Sequence, residues 1–138
     1  MKKLILLLVI TVFMVQVQAQ KLVTKDVPAA TIAAFTNANP TISNAEWSKA
    51  GNDYSAEFTA NNLATTATYD ASGVLLKTVE ITSVTELPAP ATEYLKKSYK
   101  LEEVEKVSKV TSAKNVVSYL VKVKGINLTF DSKGKFVK

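Results

Sequence analysis

The chain nearly repeats itself once, and this constrains its fold more than any other feature. Val27-Pro28-Ala29 matches Leu87-Pro88-Ala89 at an offset of 60 residues. Phe35 matches Leu95, and Trp47-Ser48-Lys49 matches Val107-Ser108-Lys109, at the same offset of 60. Residues 54–58 then match 119–123 at an offset of 65, and residues 68–73 match 129–134 at 61. The offset changes near Gly51-Asn52 and Asn61-Asn62, where turns absorb insertions. Self-similarity with conserved order marks a supersecondary unit used twice.

Each copy opens on a predicted helix. Pro28 suits the first helical position, where its missing N–H costs nothing. Ile32 and Phe35 recur at helical spacing, and Asn39-Pro40 ends the run because the residue before proline avoids the α region. In the second copy Pro88 and Pro90 fit the first turn, with Ala91, Tyr94, Leu95 and Ser98 as the inner face. Strands follow. Tyr54, Ala56, Phe58 and Ala60 alternate with polar residues, as do Leu63, Ala67 and Tyr69, the pattern of half-buried strands. Val117, Tyr119, Val121 and Val123, then Ile126, Leu128 and Phe130, repeat it. Leu75, Val79 and Ile81 predict a fourth strand in the first copy, and Phe136 and Val137 a short final strand in the second. Asn61-Asn62, Asp70-Ala71-Ser72-Gly73 and Asp131-Ser132-Lys133-Gly134 read as hairpin turns, which imply antiparallel pairing. The expectation is an α+β fold of two tandem helix-plus-four-antiparallel-strand repeats, helices packed on one face of the sheet. The repeats span residues 26–84 and 85–138.

The start of the chain has a different character. Lys2 and Lys3 precede an apolar run, residues 4–15, of signal-peptide length and too short to span a bilayer comfortably. Val17-Gln18-Ala19 supplies small residues at the spacing of a cleavage site. Residues 1–19 are therefore expected to be a signal peptide cut between Ala19 and Gln20, and residues 20–138 one exported domain, periplasmic or secreted, with no membrane role after cleavage. The chain has no cysteine, so that domain must stand on its core without disulfides.

Composition removes several chemistries. Histidine and cysteine are absent, which excludes Ser-His-Asp and Cys-His nucleophile systems and most zinc, copper and haem sites. No cofactor and no catalytic residue is expected. Residues 20–84 hold 4 lysines and 6 acids, and residues 85–138 hold 11 lysines and 6 acids, so the halves carry opposite net charge. The basic residues are all lysine. Planar two-point recognition of phosphate or guanine is an arginine task, which argues against nucleic acid as a partner. Glu102, Glu103 and Glu105 cluster after the second helix, but Lys106 and Lys109 beside them suit a solvated strand edge. A carboxylate enzyme would instead gather these groups with Lys106 in a deep pocket. Each Asp-x-x-Gly turn offers one carboxylate, too few for a calcium loop. Asn127-Leu128-Thr129 matches a glycosylation sequon mid-strand and is read as chance. Trp47 fits either the core or a contact surface.

The motifs Val27-Pro28-Ala29-Ala30 with Phe35, Ala45-Glu46-Trp47, Tyr54-x-Ala56-Glu57-Phe58 and Tyr69-Asp70-x-x-Gly73, and their second copy, resemble the PepSY-like, beta-lactamase-inhibitor-like periplasmic proteins of Bacteroidetes. The resemblance implies tandem units of a helix on an antiparallel sheet and, by fold-level analogy, recognition through the exposed sheet surface. The chain lacks the cysteines of the inhibitor that gives the fold its name. The expected function is a non-enzymatic binding module, an inhibitor or peptidase regulator, whose partner is a protein or peptide. From strand alternation the partner face should include Glu57, Thr59, Thr66, Thr68, Lys122 and Lys124. The alternatives are an envelope structural or stress-related protein without a discrete partner, and the carboxylate enzyme.

Overall fold

A computed structural model describes residues 19–137 of the chain. The expected signal peptide lies outside these residues, except for Ala19. Strand β1 (Gln20–Leu22) leads through a 3-10 turn (Thr24–Asp26) to helix α1 (Ala29–Ala38). Strands β2 (Glu46–Ala50), β3 (Asp53–Ala60), β4 (Leu63–Tyr69) and β5 (Leu75–Thr82) follow. A second 3-10 turn (Val84–Glu86) precedes helix α2 (Ala89–Ser98). A third (Leu101–Glu103) opens onto β6 (Val104–Ser112), β7 (Val117–Val123) and β8 (Ile126–Asp131). The eight strands form one sheet in chain order, every neighbour antiparallel.

This architecture corrects the expectation of two helix-plus-four-strand repeats with helices packed on one face. One continuous eight-stranded antiparallel sheet dominates, accompanied by two helices of ten residues each. The hydrogen-bonded ladder does not break between the halves, because β5 pairs with β6 from Lys77↔Ser112 to Thr82↔Val107. Four strands follow α1 but three follow α2, and the expected final strand is a single bridge, Phe130↔Phe136. Strand β1 was not foreseen. It forms because the chain returns beside its own start, setting Leu22 opposite Trp47. Helices this short are marginal alone, and each buries only two residues, Thr31 and Phe35 in α1, Ala91 and Leu95 in α2.

Register fixes which side chains share a face, since paired residues project to the same side. One row runs Leu22, Trp47, Ala56, Ala67, Thr78, Thr111 and Val117, and another runs Phe58, Thr65, Glu80, Lys109, Tyr119 and Phe130. Both core clusters lie on this side. The first joins Phe35 to Trp47, Tyr54, Ala56, Phe58, Ala67 and Tyr69. The Phe35 ring meets Trp47 edge-on at 5.4 Å and Phe58 at 5.1 Å. The second joins Leu95 to Val107, Val121, Val123, Leu128 and Phe130. Trp47 is thus a core residue, 3% exposed. The clusters stay separate because β5 presents Thr78, Glu80 and Thr82 to this side. Glu80 there pairs with Lys109 at 3.7 Å.

The Asp-x-x-Gly turns fasten each helix to the sheet. The Asp70 carboxylate accepts hydrogen bonds from the Ser72 and Val74 backbone N–H groups and the Ser72 hydroxyl, at 2.7 to 2.9 Å. Buried Thr31 of α1 donates its hydroxyl to the Asp70 carbonyl at 2.9 Å. Gly73, at φ +87°, lies so close to α1 that a Cβ there would sit 2.6 Å from the Ala30 carbonyl oxygen. Gly134 repeats this against α2, its Cβ position 2.8 Å from Pro88 and 2.9 Å from the Ala91 nitrogen. Asp131 holds its turn through the Lys133 and Lys135 backbone N–H groups.

Candidate partner-binding face

The opposite side of the sheet carries neither core cluster. One row across it runs Glu46, Glu57, Thr66, Val79, Val110, Ser118 and Asp131. The next runs Thr59, Ala64, then Ile81, Ser108, Leu120 and Thr129. Lys106, Lys122 and Asn127 form a third row towards one end, and Lys21, Ser48, Ser55, Thr68, Lys77 and Ser112 a fourth towards the other.

Val79, Ile81, Val110 and Leu120 therefore form an apolar patch in the middle of this open face. Simple alternation from Tyr69 does not foresee it. A β-bulge between Thr68 and Tyr69 shifts the β4–β5 register, so that Thr68 pairs with Lys77 while Tyr69 pairs with Leu75. The extra residue turns Val79 and Ile81 away from the core. Both are half-buried, and Leu120 is 37% exposed. Lys106, Ser108, Leu120, Lys122 and Asn127 line a shallow depression of about 300 Å³ beside the patch.

Of the six residues expected on the partner face, Glu57, Thr59, Thr66 and Lys122 lie on the open face with side chains at least partly exposed. Thr68 lies there too but is buried, sharing a 3.0 Å hydrogen bond with Ser55. Lys124 belongs to the β7–β8 turn, at φ 49°, and its ammonium lies 3.0 Å from Glu103. Sequence reading did not single out Glu46, Lys106, Val79, Ile81, Val110 or Leu120 for this face. Their placement needs the register, which alternation within one strand does not supply.

Two like-charged pairs stand on this face, one near each edge, with Lys21 beside the acidic pair's edge, Asp131 at the basic pair's edge and Lys77 between. Glu46 lies opposite Glu57 near the β1 edge, and Lys106 lies opposite Lys122 near the β8 edge. The acids after α2 serve the local structure. Glu103 accepts from Lys124 and from the Lys100 backbone N–H, in that order of effect, which holds its carboxyl below the usual range. Glu105 accepts from the Gly125 N–H at 2.8 Å and lies 3.4 Å from Lys122. Glu102 is exposed, so Glu102, Glu103, Glu105 and Lys106 are not gathered in a deep pocket. The Asp70 carboxyl is lowered first by the Ser72 hydroxyl and then by the Val74 N–H, and that of Asp131 by the Lys135 N–H. Burial raises the Tyr69 phenol.

No family model and no curated protein matches the chain. Solved structures do. A DUF2874 family protein from Bacteroides ovatus superposes with a TM-score of 0.72 at 18% identity, over 80% of this chain and 84% of that one. A protein from Bacteroides eggerthii described as a candidate periplasmic protein gives 0.70 at 19%, over 80% and 86%. A BLIP-like protein from Bacteroides fragilis gives 0.68 at 20%, over 80% and 84%. At such identities the likeness is one of fold. The chain therefore shares its fold with these Bacteroides proteins, one of them BLIP-like, which is consistent with the BLIP-like part of the resemblance read from the motifs.

Proposed function

We propose that this chain is an exported, non-enzymatic binding module that holds a protein or peptide partner on its open sheet face. The observation that carries the reading is the apolar patch of Val79, Ile81, Val110 and Leu120 on the side of the sheet away from both cores. Apolar side chains turned outward in the middle of a large sheet, rimmed by charge, are the anatomy of an interface. The BLIP-like neighbour supports the same direction, as an analogy of fold.

In this reading residues 1–19 are a signal peptide removed after Ala19, and residues 20–138 work in the periplasm or outside the cell as one PepSY-like domain of duplicated origin. Inhibition of an enzyme or regulation of a peptidase is the activity proposed. Glu57, Thr59, Thr66 and Lys122 supply polar contacts around the patch. Thr68, already bonded to Ser55, and Lys124, engaged by Glu103, contribute little.

Replacing Ile81 and Leu120 together by Asp tests the assignment. Partner capture from periplasmic extract should fall at least about tenfold while the melting temperature stays close to wild type. Undiminished capture by that variant would place the binding surface elsewhere.

A further inference from the structure

The two charged sites of the open face occupy corresponding positions in the two halves, with the sign reversed. Residues 46 and 106 are 60 apart, and residues 57 and 122 are 65 apart, the same offsets that relate the flanking motifs. Glu46 faces Glu57 directly across β2 and β3, and Lys106 faces Lys122 directly across β6 and β7. Like charges opposed across antiparallel strands destabilise a sheet. Among the described residues each pair makes one ion pair, Lys21 at 3.4 Å from Glu46 and Glu105 at 3.4 Å from Lys122. Among the described residues, neither Glu57 nor Lys106 forms an ion pair. All four side chains are exposed. Each repulsion is offset within the fold by one exposed ion pair, which contributes little.

Four strand spacings separate the two sites, roughly 19 Å across the sheet at about 4.8 Å per strand. The apolar patch lies between and beside them, with Ile81 close to their midpoint. A glutamate pair towards one end, a lysine pair towards the other and apolar side chains between are complementary to a second copy of themselves, with Lys21 and Asp131 at the same two edges. We propose that the open face docks a second copy of this chain, face to face, about a two-fold axis in the interface near Ile81. Each glutamate pair then lies over the lysine pair of the other copy, and this happens twice because the interface is isologous. The lysine pair sits two side-chain rows further along the strands than the glutamate pair, so the two sheets cross obliquely.

The size is adequate. Eight strands of about six residues span roughly 34 Å by 20 Å, close to the roughly 800 Å² per partner of a standard interface. A small apolar centre inside a charged rim describes a dimer held partly by screened electrostatics. The inference rests on the open face being a binding face and goes further by naming the occupant.

Sedimentation velocity of the purified protein and two charge-reversed variants tests it. One variant carries Glu46→Lys with Glu57→Lys, the other Lys106→Glu with Lys122→Glu. The wild type should dimerise reversibly, its association constant falling about tenfold between about 50 mM and about 500 mM salt. Each variant alone should be monomeric at concentrations where the wild type is dimeric, and an equimolar mixture should form a heterodimer. A wild type that is monomeric at every soluble concentration overturns the proposal. So does dimerisation of either variant at wild-type strength, or a mixture of folded variants that stays monomeric. The wild-type salt series needs no variant, and a dimer insensitive to salt also refutes the charge-matched arrangement. A monomeric wild type whose partner capture is still abolished by the Ile81 and Leu120 replacements removes self-docking and leaves the binding-face reading in place.

Discussion

Replacing Gly73 by alanine probes how the Asp-x-x-Gly turn holds α1 to the sheet. Two costs add. The position has φ +87°, where an L side chain is strained by about 1–2 kcal/mol. The new Cβ would also sit 2.6 Å from the Ala30 carbonyl oxygen, a backbone atom inside a helix that cannot swing aside. Forcing an extra carbon into a packed contact costs about 1–3 kcal/mol. The sum is about 2–5 kcal/mol, a large share of the roughly 5–15 kcal/mol that holds a domain folded. Gly51 is the control. It shares the positive φ, at +61°, but a Cβ there meets nothing within 4 Å, so only the conformational cost of about 1–2 kcal/mol applies. Urea unfolding followed by circular dichroism reads the difference. With a slope of about 1–3 kcal/mol per molar urea, the Gly73 variant should unfold at a midpoint about 1 M lower than the Gly51 variant, with the slope unchanged. Equal midpoints for the two variants would refute the reasoning, because the helix contact would then carry no weight.

The other predictions concern core, face and pH. Leu95→Ala empties a fully buried site and should cost about 2–5 kcal/mol in equilibrium unfolding. Val79→Thr on the open face should cost distinctly less than Val121→Thr in the core, because only the second buries an unpaired hydroxyl; equal losses in thermal unfolding would contradict the face assignment. Asp70 and Asp131 have folded-state pKa values below their unfolded ones, so their contribution is fully present above the unfolded value and lost as pH falls through the folded one. Asp131→Ala should therefore be less stable than wild type at neutral pH, and the gap should narrow as pH drops through the depressed range. A gap that is constant down to acid pH would sink the carboxylate assignment.

Much of the local structure was legible in the sequence. Pro28 and Pro88 mark the starts of both helices, but one position earlier than expected, as the N-cap residues, with Ala29 and Ala89 taking the first helical positions. Phe35 and Leu95 are buried as helical spacing requires, and the alternation in β3, β4, β7 and β8 names the core side correctly at Tyr54, Phe58, Tyr69, Val121 and Phe130. Asn61 and Asn62, at φ 51° and 62°, form the expected tight turn. The failures are non-local. The three residues of β1 carry no pattern of their own and become a strand only by pairing with β2. Leu75, Val79 and Ile81 read as one more apolar stripe, and the bulge before Tyr69 sends Val79 and Ile81 outward. The β5–β6 ladder joins residues on either side of the expected repeat boundary, so one sheet forms where two units were foreseen. The candidate face was half legible for the same reason. Glu57, Thr66 and Lys122 follow from alternation, whereas the burial of Thr68 and the opposition of Glu46 with Glu57 and of Lys106 with Lys122 depend on neighbouring strands.

The absence of cysteine makes a direct measurement available, since one introduced thiol is unique in the chain. A photo-crosslinker attached at Thr66→Cys on the open face, and separately at Lys97→Cys on the exposed side of α2, should be activated in the native envelope fraction. Protein adducts that form from position 66 and are absent from position 97 are the predicted result. Adducts of equal yield from both positions, or from position 97 alone, would contradict the claim that the outward side of the sheet is where this protein meets its partner.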